Sequence, residues 1–326
     1  MVSCSLFEDY QVGQILTLSV IPEPGEIRSA STVRARIRHL QSHRTLSYCM
    51  IVDLLDEGLP DNPVLLKLYD RRFSEQLRRD YGIDPWTRDA EKEYINFVWT
   101  GAARQFLHNL HTILNFEMYS SETWNDGENE TFLTDQVHKL FDTETTMYDA
   151  LRDIQGKLVP RLVARVHLAL SLPDADIGRT DAADLLHVKG ILLQYIDGFP
   201  LARMQNHAHR SDWQGIVDQA VAVVQVVGDH GVLNRDVGPD NFIVQRDRSG
   251  RYQVFMIDFG LARLRGRNES DRDWAKAKLN EDEEGAVGCL MKTRLVKEGF
   301  ELRFERSDRY MEWADEDEEW ADEDDE

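Results

Sequence analysis

The sequence predicts an α+β protein in which strands dominate the first part, helices interrupt and follow them, and a tight hairpin comes late. Three observations lead there. Residues 10–21 and 32–40 alternate apolar and polar side chains in places, as half-buried strands do, and 48–55 and 63–69 are short apolar runs of strand length. Residues 135–154 and 212–230 instead repeat their apolar positions every three to four residues, the period of a helix with one buried face. Residues 241–245 and 252–257 are apolar runs around 246–250, a polar, glycine-containing stretch that reads as a hairpin turn.

Composition narrows the class. At 326 residues and 42% hydrophobic, the chain can bury a real core in one large domain or two smaller ones. Net charge is −21, unevenly spread: residues 312–326 hold eleven acidic residues and no basic one, which leaves −10 on the rest. Nucleic acid and anionic membranes both reward clustered Lys and Arg, so neither is expected as a partner. Cys4, Cys49 and Cys289 stand far apart, and neither a disulfide framework nor a zinc site is expected. His39 and His43 read as ordinary surface or core histidines. With no basic, apolar leader and no run approaching the roughly 20 apolar residues of a membrane span, an intracellular protein, cytoplasmic or nuclear, is expected.

The elements follow in order. Between the first two strands, residues 22–31 form a turn with a single glycine, Gly25. Lys67 stands inside the apolar run 64–69, where a lysine is costly to bury unless paired. Two helical stretches offer a partner. Residues 89–114 supply Glu91 and Glu93 near their start, where carboxylates favour the helix dipole. Residues 135–154 place Glu144 inside the stripe of Val137, Leu140, Phe141, Tyr148 and Leu151, and a glutamate there needs a cation. Glu144 is therefore expected to pair with Lys67, with Glu93 as the alternative. That choice makes 71–134 an insertion holding one long helix and an acidic loop at 120–130.

Residues 162–170 and 187–196 read as two more strands around a polar loop at 173–184. The helix at 212–230 turns Ile216, Val217, Ala220, Val223, Val224 and Val227 inward, with Ser211 or Asp212 as its N-cap. After the hairpin, 261–273 reads as charged loop, and 274–280 and 283–296 as helices, with Gly285 to Gly288 packing close. The tail repeats itself, Glu312-Trp-Ala-Asp-Glu-Asp-Glu318 and then Glu319-Trp-Ala-Asp-Glu-Asp-Asp325. So dense a block of like charge is expected to be disordered, with Trp313 and Trp320 available to anchor it to a basic partner.

A hairpin brings its open ends together. Asp236 and Asn241 lie just before its first strand and Asp258 just after its second, so a carboxylate, a carboxamide and a second carboxylate converge at one edge. Hard oxygen ligands of this kind suit Mg²⁺, which takes one or two carboxylates plus substrate phosphates and waters. Asn234-Arg235-Asp236, then four residues and Asn241, resembles the catalytic loop of protein kinases; Asp258-Phe259-Gly260, 22 residues after Asp236, resembles their metal-binding triplet. The resemblance to the eukaryotic protein kinase superfamily covers roughly residues 10–300. The stretches Lys67-Leu-Tyr-Asp-Arg-Arg-Phe73, 151–160 and 282–288 look like its divergent members in filamentous fungi.

That resemblance implies a bilobal fold. Residues 1–193 would form an N-lobe with a small β-sheet and a helix, interrupted by the insertion at about 71–134. Residues 194–310 would form a short, mostly helical C-lobe, and 311–326 a disordered acidic tail. It also implies ATP and Mg as cofactors and assigns roles. Asp236 would accept or orient the proton of the attacking hydroxyl, Asn241 and Asp258 would hold Mg²⁺, and Lys67, held by Glu144, would position the phosphates. Leu193 would border the back pocket, and the backbone of Gln194 and Ile196 would meet the adenine edge. Three departures stand out: Asn234 in place of a histidine, Gly238 where a lysine often meets the γ-phosphate, and no glycine-rich pattern at 22–31. The expected function is phosphotransfer from ATP to a Ser/Thr hydroxyl. The alternatives are a pseudokinase that binds nucleotide or a protein partner without turnover, and a small-molecule kinase of the aminoglycoside-phosphotransferase type. The short C-lobe favours this last reading over a peptide kinase, and the short segment between hinge and catalytic loop argues against it.

Overall fold

A computed structural model describes residues 9–22, 32–41, 45–56, 62–169 and 183–313. Most of the turn expected at 22–31, most of the loop expected at 173–184, and the tail from residue 314 on lie outside the described residues. The chain is mixed α+β, as the sequence predicts, and divides into two compact units. One comprises residues up to 142 together with 162–195; the other comprises 143–161 together with residues from 196 onward. The expected boundary after residue 193 shifts by two, and residues 143–161 join the second unit.

In the first unit, β1 (Ile15–Ile21), β2 (Thr32–Leu40), β3 (Tyr48–Leu54), β4 (Val64–Tyr69), β5 (Leu162–Ala169) and β6 (His187–Gln194) pair antiparallel in the order β1-β2-β3-β4-β6-β5. The expected small sheet is instead a closed barrel, because β1 also pairs with β5, Leu18 opposite Leu168. Alternation explains the closure. Leu16, Leu18, Ala35, Ile37, Met50 and Val52 are among the residues that fill the core, and joining the two edges removes unpaired backbone groups.

The insertion holds α1 (Glu75–Asp80), α2 (Arg88–Trp99), α3 (Ala102–Thr112), α4 (Phe116–Ser120) and the start of α5 (Asp126–Ala150). The single helix expected over 89–114 breaks into α2 and α3 at Gly101, whose φ of +80° is a left-handed conformation that suits glycine. The acidic loop expected at 120–130 is corrected as well, since α5 already begins at Asp126. Asn125 and Glu128 cap it reciprocally: the Asn125 side chain accepts from Glu128 N at 3.0 Å, and the Glu128 carboxylate accepts from Asn125 N at 2.9 Å. Of the acids in that stretch, Asp126 and Glu128 are helix-start acids favoured by the dipole.

Buried charges tie the insertion to the barrel. Arg71 reaches both oxygens of Glu91 at 2.9 and 2.8 Å, lies over the Tyr94 ring at 3.9 Å, and pairs with Glu130. Glu130 also takes Arg78 at 2.8 Å, and Glu91 accepts from Trp86 Nε1 at 2.7 Å. Asp70, at the end of β4, holds Arg72 at 2.6 Å and accepts from Tyr10 Oη at 2.8 Å.

The second unit contains β7 (Phe199–Pro200), α6 (Trp213–Asp229), β8 (Val232–Asn234), β9 (Phe242–Arg246), β10 (Tyr252–Met256), β11 (Ala262–Leu264), α7 (Asp271–Glu281) and α8 (Glu283–Lys297). The hairpin forms as β9–β10, with Phe242 opposite Met256, and β7 adds to its outer edge. The stretch expected as a charged loop at 261–273 opens instead with β11, which pairs with β8, and α7 starts at Asp271. α6 buries the six predicted residues; Asp212 occupies its N-cap position without a side-chain cap bond. Gly288 packs as closely as the sequence suggests, since a Cβ there would lie 2.3 Å from the Phe304 ring. Among the described residues no helix is long and apolar enough to cross a membrane.

Candidate active site

The site is built on the two short β-pairings of the second unit. β8 ends at Asn234 and leads into the loop carrying Asp236; β9 starts after Asn241; β10 ends two residues before Asp258; β11 starts two residues after Gly260. Backbone pairing of β8 with β11 and of β9 with β10 therefore brings both loops to one edge. Side chains lock them. Asn234 is 1% exposed, and its Nδ2 donates to the Asp258 carbonyl at 3.0 Å while its Oδ1 accepts from Asp236 N at 3.1 Å. Ile257 N donates to the Asn241 carbonyl at 2.9 Å. Asn241 Nδ2 donates to the Asp236 carbonyl and, at 3.3 Å, to Asp236 Oδ2. This orientation leaves the Asn241 amide oxygen, a hard acceptor, as the face that can take a cation.

Asp258 is held in an uncommon conformation, with φ of +63°. Left-handed backbone costs a residue with a Cβ roughly 1–2 kcal/mol, and such strain clusters at functional sites. Neighbours over-determine it: its carboxylate accepts from Gly260 N at 3.4 Å, and Phe259 is fully buried, edge-on to Tyr148 at 5.7 Å. Asp236 is exposed, while Asn241 and Asp258 are half-buried.

A buried pair behind the loop fixes its backbone. Glu283, at the start of α8, accepts from Asn234 N at 2.9 Å and pairs with Lys278, whose ammonium also reaches the Val232 carbonyl at 3.4 Å. Burial pushes the Glu283 carboxyl up, against the pull of the Lys278 ammonium and the two hydrogen bonds it accepts. Sequence reasoning gave Glu283 and Lys278 no role. The contact with Asn234 spans 49 residues, and no local periodicity encodes it.

The other sequence-derived candidates distribute between the units. Lys67 lies on β4, 5% exposed, with its ammonium 5.6 Å from the Tyr69 ring centroid. It stands opposite Ile191 of β6, the strand that also carries Leu193 and Gln194, opposite Leu65 and Val64. Leu193 is buried, Gln194 is half-buried, and the chain passes into the second unit at Ile196. Of the two glutamates offered by the helix after residue 88, Glu93 is exposed and Glu91 is engaged by Arg71. Glu144 is buried on α5, in the part of that helix that belongs to the second unit.

The donor set fits Mg²⁺. Among the described residues no group of three or more His, Cys, Asp and Glu side chains is arranged for a metal. Two carboxylates and a carboxamide suit an ion that completes its shell with water and phosphate oxygens. Compared with known protein families and with curated proteins, the chain matches none.

Proposed function

We propose that the chain is an ATP- and Mg²⁺-dependent phosphotransferase with a bilobal fold of protein-kinase type, acting on a Ser/Thr hydroxyl. The observation that carries this reading is the interlocked edge at which Asn234 bonds the backbone at both Asp236 and Asp258 while Asn241 bonds Asp236. Phosphoryl transfer asks mainly for positioning and charge neutralisation, which few rigidly held residues can supply. On this reading Asp236, exposed at the loop, orients the hydroxyl and accepts its proton. Asn241 and Asp258 hold Mg²⁺, which supplies neutralising charge to the phosphate oxygens. Lys67, in its apolar strand, carries the cation for the remaining phosphates.

Gly238 supports a second reading. It takes the place of a cation near the transferred phosphate, and a pseudokinase that binds nucleotide without turnover has no need of one. Turnover of radiolabelled ATP with Mg²⁺ separates the two. Asp236→Asn is expected to lower the rate about 10²–10⁴-fold while leaving nucleotide binding in place. Binding without turnover in the wild-type chain selects the pseudokinase, and equal rates in wild type and variant remove Asp236 from the chemistry.

A further inference from the structure

The junction of α3 and α4, in the first unit, turns large apolar side chains outward. α3 ends at Ile113 in extended backbone, Asn115 turns the chain with a φ of +58° that asparagine tolerates, and α4 follows at once. Across residues 113–119, Ile113, Leu114, Met118 and Tyr119 are 50%, 85%, 65% and 77% exposed. Phe116 takes the inward place between them. Its ring meets Phe106 at 5.8 Å and Trp124 at 6.3 Å, and the aromatic contacts continue from Trp124 through Phe132 to Tyr81. Hydrogen bonds fix the mount: Trp124 Nε1 donates to Ser120 Oγ at 3.0 Å, and that hydroxyl donates to the Phe116 carbonyl at 2.6 Å. A single exposed apolar side chain is ordinary, whereas several large ones together mark an interaction surface.

Acids surround this face. Residues 105–138 contain Glu117, Glu122, Asp126, Glu128, Glu130 and Asp135 and no Lys or Arg. Glu130 is closed by Arg71 and Arg78, and the others are exposed or half-buried. The cations that flank the stretch are engaged, Arg104 by Asp184 at 3.1 Å and Lys139 by Asp135 at 2.7 Å. On α1, the exposed Arg79 offsets its neighbour Asp80. The acids are close enough to act on the aromatic margin: burial first, and then Glu117, Asp80 and Asp135, push the Tyr81 hydroxyl up.

We propose that the face formed by Ile113, Leu114, Met118 and Tyr119 docks a basic amphipathic helix of a partner protein. Its apolar side chains receive the anchors that such a helix presents at i, i+3, i+4 and i+7, and the acids around them meet Lys and Arg on the flanks of that helix. Met118 adapts its shape to an apolar partner, and Tyr119 buries a ring while its hydroxyl stays wet. A second copy of this chain, or an anionic membrane, brings like charge to the acidic rim and fits it less well. The net charge of −21 attracts cations over much of the surface; apolar exposure is what singles out this face. The proposal concerns the first unit alone and is independent of any phosphotransfer.

Fluorescence anisotropy of the full chain with a labelled amphipathic helix of Leu and Lys, about five turns long, tests the docking. One control peptide scatters the same residues, and the other carries Glu in place of Lys. The Leu/Lys helix should bind about tenfold or more tighter than either control and weaken about tenfold in 1 M NaCl. Leu114→Asp/Met118→Asp should weaken its binding about tenfold or more, although added acid would tighten a purely electrostatic contact. Should that variant melt below wild type, Leu114→Ser/Tyr119→Ser carries the same prediction. Equal affinity of wild type and variants, or of the Leu/Lys helix and its scattered control, overturns the proposal. A dimer in sedimentation that the variants split overturns it in favour of a second copy. Capture of the wild type, but not the variants, by phosphatidylserine vesicles overturns it in favour of a membrane.

Discussion

Glu91, Glu130 and Asp70 in the first unit are buried, and each is closed by a guanidinium; Asp236, Asn241 and Asp258 in the second unit stand at the open end of a hairpin and are held by amides. The first cluster uses up its charges on itself. Its cations and anions match, the Arg71 guanidinium stays charged against the cost of burial because Glu91 and Glu130 flank it, and burial pushes the Tyr94 hydroxyl up to about 12. The second cluster is framed by backbone and carboxamide hydrogen bonds, and on the proposed reading its oxygens meet an external cation. The contrast shows that acidic residues in a chain this acidic are sorted by what orients them. In the first unit a guanidinium closes each of these carboxylates, whereas in the second amides bond to Asp236 and Asp258.

The largest expected effect would break the comparison on its structural side. Glu130→Gln leaves Arg71 and Arg78 buried beside a neutral group and should cost about 3–5 kcal/mol in urea unfolding. Loss of under about 1 kcal/mol would show the cluster to be dispensable to the fold.

A pH titration of stability sharpens the same side. His138 lines a small cavity with Arg71 and Glu91, and burial, helped by the Lys189 ammonium and opposed by Asp142 and Asp184, lowers its pKa to about 4. The fold therefore favours the neutral ring. The unfolded chain binds a proton from about pH 6.5 downward, so this contribution is whole above pH 6.5 and is lost as the pH falls toward 4, by up to roughly 3 kcal/mol. His138→Gln should flatten that part of the profile; an unchanged slope would place the titration elsewhere.

On the site side the effects on stability are smaller. Asp258→Val puts a β-branched residue at a φ of +63° and should cost about 1–2 kcal/mol beyond the cost of Asp258→Asn, because Asn tolerates the left-handed region. The Asn variant itself should unfold within about 1 kcal/mol of wild type. A larger loss for Asn would make Asp258 structural and erase the distinction between the clusters.

Much of this was legible in the sequence where the signals are local. The strand at 32–40, the helix buried at Ile216 to Val227, and the hairpin around 246–250 follow from period and turn chemistry, and the hairpin alone implies that its flanking Asp and Asn residues meet. Gly101 was legible in principle as a break and was read through, because a single glycine inside a periodic stretch is often tolerated. The start of α5 was missed because Asp126, Glu128 and Glu130 read as a solvated run, although Asn125 and Glu128 have capping spacing. Barrel closure, β11 and the Arg71 cluster depend on partners far away in the chain. Glu130 is 59 residues from Arg71, and a three-residue strand such as Ala262–Leu264 carries too little pattern to stand out.

The most direct measurement is the shift in melting temperature caused by ATP, with and without Mg²⁺, in wild type and in Asp258→Asn. Metal and nucleotide meeting at the hairpin edge predict that saturating Mg·ATP, at about 100 times its Kd, stabilises the wild type by about 2.7 kcal/mol. That gain should vanish without Mg²⁺ and in Asp258→Asn, while the two proteins melt alike when ligand-free. Equal Mg·ATP shifts in both proteins, or none in either, would contradict the account.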